Sequence, residues 1–191
     1  MWPNLLSYCL QMSNLFFISD THFGHKAVIQ FCNRPFSSVE EMNERLIENW
    51  NSVVRDQDEV IHVGDVMFAG KPNLILPRLK GNKKLVLGNH DHYKNLKVYF
   101  NKFYGAKYQS TMLVTHVPVH INCLGKRFTH NIHGHLHQNN VQCRMEYVQE
   151  SNNGDSITRW DERDPHYINV SVEQINYTPI SWEELKKKHG I

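Results

Sequence analysis

Seven side chains of the types that bind divalent metal ions follow short apolar stretches of this sequence. They are Asp20, His22, Asp65, Asn89, His116, His135 and His137. Two carboxylates, one amide and four imidazoles, with no thiolate, suit manganese, iron, zinc, nickel or cobalt, and the donor set does not choose among these metals. Asp20 with His22, and His135 with His137, stand two residues apart, so in an extended backbone each pair faces the same way. The sequence therefore predicts a divalent metal site.

These candidates lie at the ends of predicted β-strands. The strands are predicted at Leu15–Ser19, Glu59–Val63, Lys84–Leu87, Met112–Thr115 and Asn131–His133. Because α/β proteins place their ligand sites at the carboxyl ends of strands, we expect these ends to meet in one site. Gly88 allows a tight turn after the central strand, and this turn leaves Asn89 and His90 exposed.

Helical patterns between the strands indicate an α/β fold. Ser38 with Glu41 predicts a capping box, and apolar residues at three- and four-residue steps over Val39–Val53 predict an amphipathic helix. Strand, helix and strand in this order imply right-handed crossovers and a parallel first sheet. Shorter helices are predicted at Leu74–Leu79, Tyr93–Phe103 and Trp182–His189, and we expect Pro77 to bend the first of them.

The second half of the chain has short predicted strands separated by turns. They are Gln109–Thr115, Lys126–His133, Val141–Tyr147 and Tyr167–Val172. This pattern of short strands and turns favours a second, more antiparallel sheet, and two sheets that face each other form a layered sandwich. The polar segment Glu150–Asp164 predicts a surface loop.

Length and composition favour one cytoplasmic domain over residues 1–191. A formal net charge of +2 does not indicate an extended nucleic-acid surface, and no stretch is apolar enough to span a membrane. Four widely spaced cysteines without a CxxC pair argue against a disulfide framework and favour a reducing compartment. Residues 1–11 lack signal-peptide features. They are interpreted either as a dispensable extension before a start at Met12 or as an arm that packs on the surface.

The motifs and their order resemble the calcineurin-like metallophosphoesterase superfamily. The resemblance rests on Asp20-x-His22, Gly64-Asp65, Gly88-Asn89-His90-Asp91, Thr115-His116 and Gly134-His135-x-His137. It implies an α/β fold, the four-layer α/β/β/α sandwich of two mixed sheets flanked by helices. It also implies two divalent metal ions as cofactors, and we expect manganese, with iron, zinc, nickel and cobalt as alternatives.

The resemblance also implies a role for each motif residue. Asp20, His22 and His137 hold one ion, Asn89, His116 and His135 hold the other, and Asp65 bridges the two. Two ions about 3.5–4 Å apart lower the pKa of a shared water, so a bridging hydroxide attacks the phosphorus in line. His90 is the non-ligand histidine, expected to stabilise the transition state or protonate the leaving group, and Asp91 is expected to orient its ring.

Two departures favour the small bacterial and phage phosphoesterases of this superfamily over its protein phosphatases. The chain lacks the Asp-Arg-Gly element of the phosphatases after Asp65, and Asp91 stands where they have glutamate. No long inserted cap domain is visible, so we expect an open site. The leading hypothesis is hydrolysis of phosphate esters, chiefly phosphodiesters. The alternatives are a phosphomonoesterase, a nuclease, and a non-catalytic metal-binding scaffold for partner proteins.

Other side chains are also candidates for the site. Arg34 is predicted to bind the substrate phosphate through its planar guanidinium, the alternative being a solvated arginine, and His25 is predicted to line the pocket. Phe31 and Phe36 are predicted to pack in the core. The expected partner is a small phosphate ester or nucleotide. No membrane partner is expected, and no oligomeric state is predicted.

Overall fold

The computed structural model describes residues 13–143 and 162–191, whose strands form two main β-sheets and one small pair. The strands are β1 (Leu15–Ile18), β2 (Glu59–His62), β3 (Asn82–Val86), β4 (Lys102–Tyr104), β5 (Lys107–Gln109), β6 (Met112–Val114), β7 (His130–His133), β8 (Gln142–Cys143), β9 (Glu162–Arg163), β10 (Tyr167–Asn169) and β11 (Ile180–Ser181). The first sheet has the order β11-β1-β2-β3-β4 and the second β10-β7-β6-β5, while β8 pairs with β9.

Helices flank the two sheets. They are α1 (Lys26–Phe31), α2 (Val39–Val53), α3 (Pro72–Ile75), α4 (Tyr93–Leu96) and α5 (Trp182–His189), with 3₁₀ turns at Leu76–Arg78, Ile121–Cys123 and Val172–Gln174. Helix α2 has the predicted bounds, and the Ser38 side chain caps it by accepting from the Glu41 N–H. The Glu41 carboxylate bonds to Ser37 instead of completing the box. Helix α5 has a complete capping box formed by Ser181 and Glu184.

Parallel pairing brings the ends of the central strands to one edge. In the first sheet β1, β2, β3 and β4 are parallel to their neighbours, and only β11 is antiparallel. The last residue of β1 pairs with the last residue of β2, Ile18 with His62, so the turns that follow them begin side by side. In the second sheet β10, β7 and β6 are parallel, and β5 is antiparallel to β6.

Alternate residues of β1 serve two separate hydrophobic clusters, as the period of a strand requires. Phe16 and Ile18 join the cluster under α2, which includes the fully buried Trp50. Phe17 joins a second cluster with residues of both sheets, such as Ile61 and Ile132. The two sheets therefore pack against each other, and the expected fold class, two mixed sheets flanked by helices, is confirmed.

The pairing of the second sheet and the length of the helix after Tyr93 were predicted wrongly. The second sheet is mainly parallel, because residues 115–129 carry the chain back before β7 begins beside β6. Helix α4 ends at Leu96 and does not extend to Phe103, because Phe103 pairs with Leu85 in the sheet and these ladder hydrogen bonds override helical propensity. The bend expected at Pro77 is confirmed, since α3 gives way to a 3₁₀ turn there.

Phe31 does not pack in the core. It is 73% exposed at the end of α1, whereas Phe36 is partly buried against the cluster under α2. Within the two described ranges, no helix has the length and apolar character needed to cross a bilayer. The interpretations of residues 1–11, most of Glu150–Asp164 and the end of Val141–Tyr147 lie outside the described residues.

Candidate metal centre

The turns after β1 and β2 are joined by backbone hydrogen bonds and carry three candidate ligands. The Asp20 N–H donates to Gly64 O at 2.9 Å, and the His22 N–H donates to Asp65 O at 3.1 Å. Asp20, His22 and Asp65 are all buried. The spacing of these three side chains is therefore fixed by the backbone of the two adjacent turns.

One group of ligand atoms comes from Asp20, His22 and His137, which lie within 4.8 Å of one another. His22 Nε2 is 4.0 Å from Asp20 Oδ1. Asp20 Oδ2 accepts hydrogen bonds from the Ser171 hydroxyl and the His135 N–H, both at 2.9 Å. Asp20 Oδ1 is buried but has no hydrogen-bond partner among the described residues, and the same is true of both ring nitrogens of His22. A cation would satisfy these atoms.

A second group comes from Asp65, His116 and His135, again within 4.8 Å. Asp65 Oδ2 lies 3.3 Å from His116 Nε2 and 3.6 Å from His22 Nε2, so one carboxylate oxygen stands between the two groups. Asn89 Oδ1 lies 3.0 Å from His116 Nε2 and 3.0 Å from His135 Nδ1. The structure thus brings together all seven predicted ligands.

Five of these seven ligands have a left-handed backbone conformation. They are Asp20 (φ 56°), His22 (φ 47°), Asp65 (φ 57°), His135 (φ 68°) and His137 (φ 52°). Residues with a Cβ rarely adopt this region, and such strain concentrates at functional sites. The paired ligands therefore meet through tight turns and not through the extended backbone that their two-residue spacing suggests.

Two glycines allow the chain to approach the ligands closely. A Cβ atom at Gly134 would lie 1.9 Å from Ser19 Oγ and 2.4 Å from Asp20 Oδ2. A Cβ atom at Gly88 would lie 2.2 Å from Asp65 Oδ1. The site is therefore closed to any side chain at these two positions.

The electrostatics of the site suit cation binding. Burial lowers the pKa of His22 to about 3 and also lowers the pKa of His135, so both imidazoles are neutral at pH 7. Burial alone would raise the pKa of Asp65, but the hydrogen bond and charge of His116 lower it to about 2. Burial raises the pKa of Asp20, a cost that a nearby cation offsets. Neutral imidazoles and ionised carboxylates are the forms that bind metals, so His22, His135 and Asp65 are in forms that fit divalent ions.

Hydrogen bonds outside the ligand groups orient two of the imidazole rings. His116 Nδ1–H donates to Val63 O at 2.8 Å, and His137 Nδ1–H donates to Glu173 Oε1 at 3.1 Å. Both contacts leave Nε2 of the ring without this bond, and His116 Nε2 lies 3.3 Å from Asp65 Oδ2, an arrangement that is usual around a metal. Burial alone would lower the pKa of His137, but the neighbouring thiol and carboxylates raise it to about 10.

Glu173 is a functional residue that the sequence analysis missed. Its side chain is 5% exposed and touches both His137 and Arg34. Burial would raise its pKa, but the hydrogen bond from His137 and the charge of Arg34 lower it. The available signal was its position, because an acidic residue directly after the predicted strand Tyr167–Val172 repeats the pattern of the other ligands.

Arg34 supports the metal-binding turn from behind. Its side chain is 0% exposed and donates to Glu173 Oε1 at 2.7 and 2.9 Å, to Asp20 O at 2.7 Å and to Thr21 O at 3.1 Å. The prediction that Arg34 binds the substrate phosphate is wrong, because these contacts engage the guanidinium inside the protein. Arg34 and Glu173 form what we call the buried ion pair.

Asp91 holds backbone and not the His90 ring. Its Oδ2 accepts from the N–H groups of Gly88 at 2.8 Å and Asp65 at 2.9 Å, and its Oδ1 accepts from the Val66 N–H at 3.0 Å. The predicted orienting role is therefore wrong. Asp91 joins the turn after β3 to the turn after β2, and so positions Asp65.

A cavity of about 580 Å³ opens beside the ligands. His90 and the predicted pocket residue His25 both line it, together with the ligands His22, Asp65, His135 and His137. The exposed His90 ring meets the His22 ring edge-on, with 5.6 Å between centroids, and the His90 N–H donates to Asp65 Oδ1 at 3.0 Å. A histidine is thus available beside the ligand groups without belonging to them.

The chain is similar to proteins of an archaeon, a phage and a bacterium. The chain is 37% identical to an uncharacterized protein of Methanocaldococcus jannaschii, over 93% of this chain and 92% of that one. It is 29% identical to the gene 66 protein of Mycobacterium phage L5, over 80% of this chain and 73% of that one. A crystal structure of a protein of unknown function from Aquifex aeolicus has a TM-score of 0.68 and 25% identity, covering 93% of this chain and 100% of that one.

A family profile described as calcineurin-like phosphoesterase matches residues 13–187, nearly the whole chain. The match includes every motif on which the resemblance rested, and that prediction is confirmed. This chain belongs to the calcineurin-like phosphoesterase family.

Proposed function

We propose that this protein hydrolyses phosphodiesters with the help of two divalent metal ions, of which manganese is the expected one. The supporting observation is the position of Asp65 Oδ2, 3.6 Å from His22 Nε2 in one ligand group and 3.3 Å from His116 Nε2 in the other. Two ions at such a site supply an activated water nucleophile near neutral pH and bind the phosphate oxygens for in-line displacement.

We assign the proton transfer to His90. Its ring is exposed on the cavity, and its backbone is fixed by the hydrogen bond to Asp65. A proton donor there can reach the oxygen of the departing alcohol, and general acid catalysis of this kind contributes typically 10²–10⁴-fold. Asp91 acts only through the backbone that carries Asp65 and His90.

The charge of the cavity supports a diester over a monoester. None of the described residues that line it is a lysine or an arginine, and the nearby Arg34 is engaged in the buried ion pair. A monoester carries close to two negative charges at neutral pH, whereas a diester carries one. We also propose a reducing cytoplasmic setting, because Cys32 and Cys123 are free thiols.

The test compares p-nitrophenyl phosphate with bis(p-nitrophenyl) phosphate as substrates of the manganese-loaded protein. We expect faster cleavage of the diester. Asp65→Asn should abolish hydrolysis and reduce bound metal, and His90→Ala should lower kcat by roughly 10²–10⁴-fold with metal content retained.

His120→Ala is the matched control, because His120 is exposed and does not line the cavity. Preference for the monoester would overturn the diester assignment. Full activity in the presence of a chelator would overturn the metal-dependent mechanism, and cleavage of neither ester would favour the scaffold alternative.

A further inference from the structure

Three rings along the cavity form what we call the aromatic wall, made of Phe31, His25 and Phe68. The His25 ring stacks on Phe68 with centroids 3.9 Å apart and planes 14° apart, and meets the Phe31 ring edge-on at 6.5 Å. All three residues line the cavity beside the metal ligands. The wall is therefore a row of three adjoining aromatic rings inside the proposed active site.

The wall is more exposed than the fold requires. Phe31 is 73% exposed and Phe68 is 51% exposed, and neither belongs to the hydrophobic clusters of the described residues. Leaving two phenylalanine rings in water forfeits the stabilisation that burying them would give. Exposed aromatic rings in a concave site are typical of ligand binding.

The wall adjoins the metal centre directly. His25 lies 5.4 Å from the ligand His22, and Phe68 lies 5.3 Å from His90, both measured between ring centroids. A phosphate held by the ligand groups is therefore next to the wall. A flat group attached to that phosphate through a few bonds would lie against the wall.

The polarity of the cavity narrows the nature of this flat group. The absence of lysine and arginine from the described lining residues disfavours a second phosphate. Gln138 and Asn139 are exposed on the same cavity, and their amide side chains can donate and accept hydrogen bonds at the edge of a heterocycle. An uncharged aromatic ring with a polar edge matches both features.

We propose that the cavity binds a nucleoside on the aromatic wall, so that the substrate class is a nucleotide phosphodiester; this inference rests on the proposed phosphodiesterase function. Stacking of a base on aromatic side chains is sequence-tolerant and corresponds to roughly 5- to 150-fold in affinity per base. The aromatic wall then selects the ester that is bound, and the ligand groups bring about its hydrolysis.

The test uses two diesters with the same leaving group, thymidine 5′-(p-nitrophenyl phosphate) and methyl p-nitrophenyl phosphate. We expect the wild type to favour the nucleotide roughly 5- to 150-fold in kcat/KM. Phe31→Ala should bring this ratio close to one, mainly through a higher KM for the nucleotide. Phe31→Leu, which keeps an apolar side chain without the ring, should also lose most of the preference.

Tyr108→Ala is the matched control, because Tyr108 is 61% exposed and lies outside the cavity. A wild-type ratio near one, or an unchanged ratio in Phe31→Ala, would overturn the nucleoside inference while hydrolysis of the methyl ester leaves the proposed function standing.

Calorimetric binding keeps the two proposals separate if neither ester is cleaved. The titrants are thymidine 5′-(methyl phosphate) and dimethyl phosphate, added to the manganese-loaded protein. If the wild type binds the nucleotide more tightly than dimethyl phosphate and Phe31→Ala abolishes this difference, the nucleoside inference stands even though the proposed hydrolysis has failed. Equal binding of the two compounds, or no effect of Phe31→Ala, would overturn the nucleoside inference.

Discussion

The buried ion pair between Arg34 and Glu173 makes a prediction that separates a structural role from substrate binding. Arg34→Met removes the guanidinium but keeps much of the apolar volume. The change leaves the Glu173 carboxylate, 5% exposed, with His137 as its remaining partner, and it removes the donors to the carbonyls of Asp20 and Thr21. Breaking a buried pair in this way costs about 3–5 kcal/mol of unfolding free energy.

The assay is urea and thermal unfolding of the metal-depleted protein, both followed by circular dichroism. For a chain of this size, 3–5 kcal/mol corresponds to a decrease in Tm of roughly 6–20 °C. The double variant Arg34→Met/Glu173→Leu should lose less than the sum of the single variants, because it leaves no unpaired buried charge. The metal affinity of the double variant should also fall by roughly 10–100-fold, since Glu173 orients the ligand His137.

The control is Arg78→Met. Arg78 pairs with Glu44 at 2.6 Å through the same chemistry, but the two side chains are 46% and 54% exposed, so we expect a loss within about 1 kcal/mol. If Arg34→Met is as stable as the wild type and raises only KM, the structural role is wrong and Arg34 binds substrate after all.

Two further perturbations test the site and the core. Gly134→Ala should abolish metal binding, because its Cβ would lie 2.4 Å from Asp20 Oδ2. Gly105→Ala is the control and should bind metal normally, because its Cβ would have no atom within 4 Å. Equal metal content of the two variants by mass spectrometry would contradict this packing. His62 is fully buried, and burial lowers its pKa to about 3, so its neutral form stabilises the fold above pH 6.5 and that contribution is lost as the pH falls toward 3. The unfolding free energy of His62→Asn, measured with chelator present, should therefore decrease less steeply than that of the wild type between pH 6 and 4. The two slopes should differ by about 1.4 kcal/mol per pH unit, and parallel pH profiles of the variant and the wild type would refute the assignment.

The ligand set could be predicted because ligands at strand ends leave a clear trace in the sequence. Asp65 and His116 each follow a largely buried apolar run, and parallel strands bring such ends to one edge. Spacing alone did not show how the paired ligands converge. The left-handed backbone at Asp20 and His22 depends on hydrogen bonds to the turn after β2, which only the folded chain contains.

Residues whose roles depend on distant partners were predicted poorly. Arg34 is separated from Glu173 by 139 positions, and an arginine in a loop gives no sign of a buried carboxylate so far along the chain. Asp91 follows His90 in sequence, yet its carboxylate turns back to the N–H groups of Asp65 and Val66. The apolar side chain of Phe31 suggested a position in the core, and only the structure shows that it is exposed to the cavity.

The most direct test of a two-metal centre is the rate of bis(p-nitrophenyl) phosphate hydrolysis as manganese is added to chelator-treated protein. We predict no hydrolysis before manganese is added, and a rate that rises to a plateau at about two equivalents per chain, since Asp65 stands between two ligand groups. Full activity in the chelator-treated protein, or a plateau at about one equivalent, would contradict the dinuclear site.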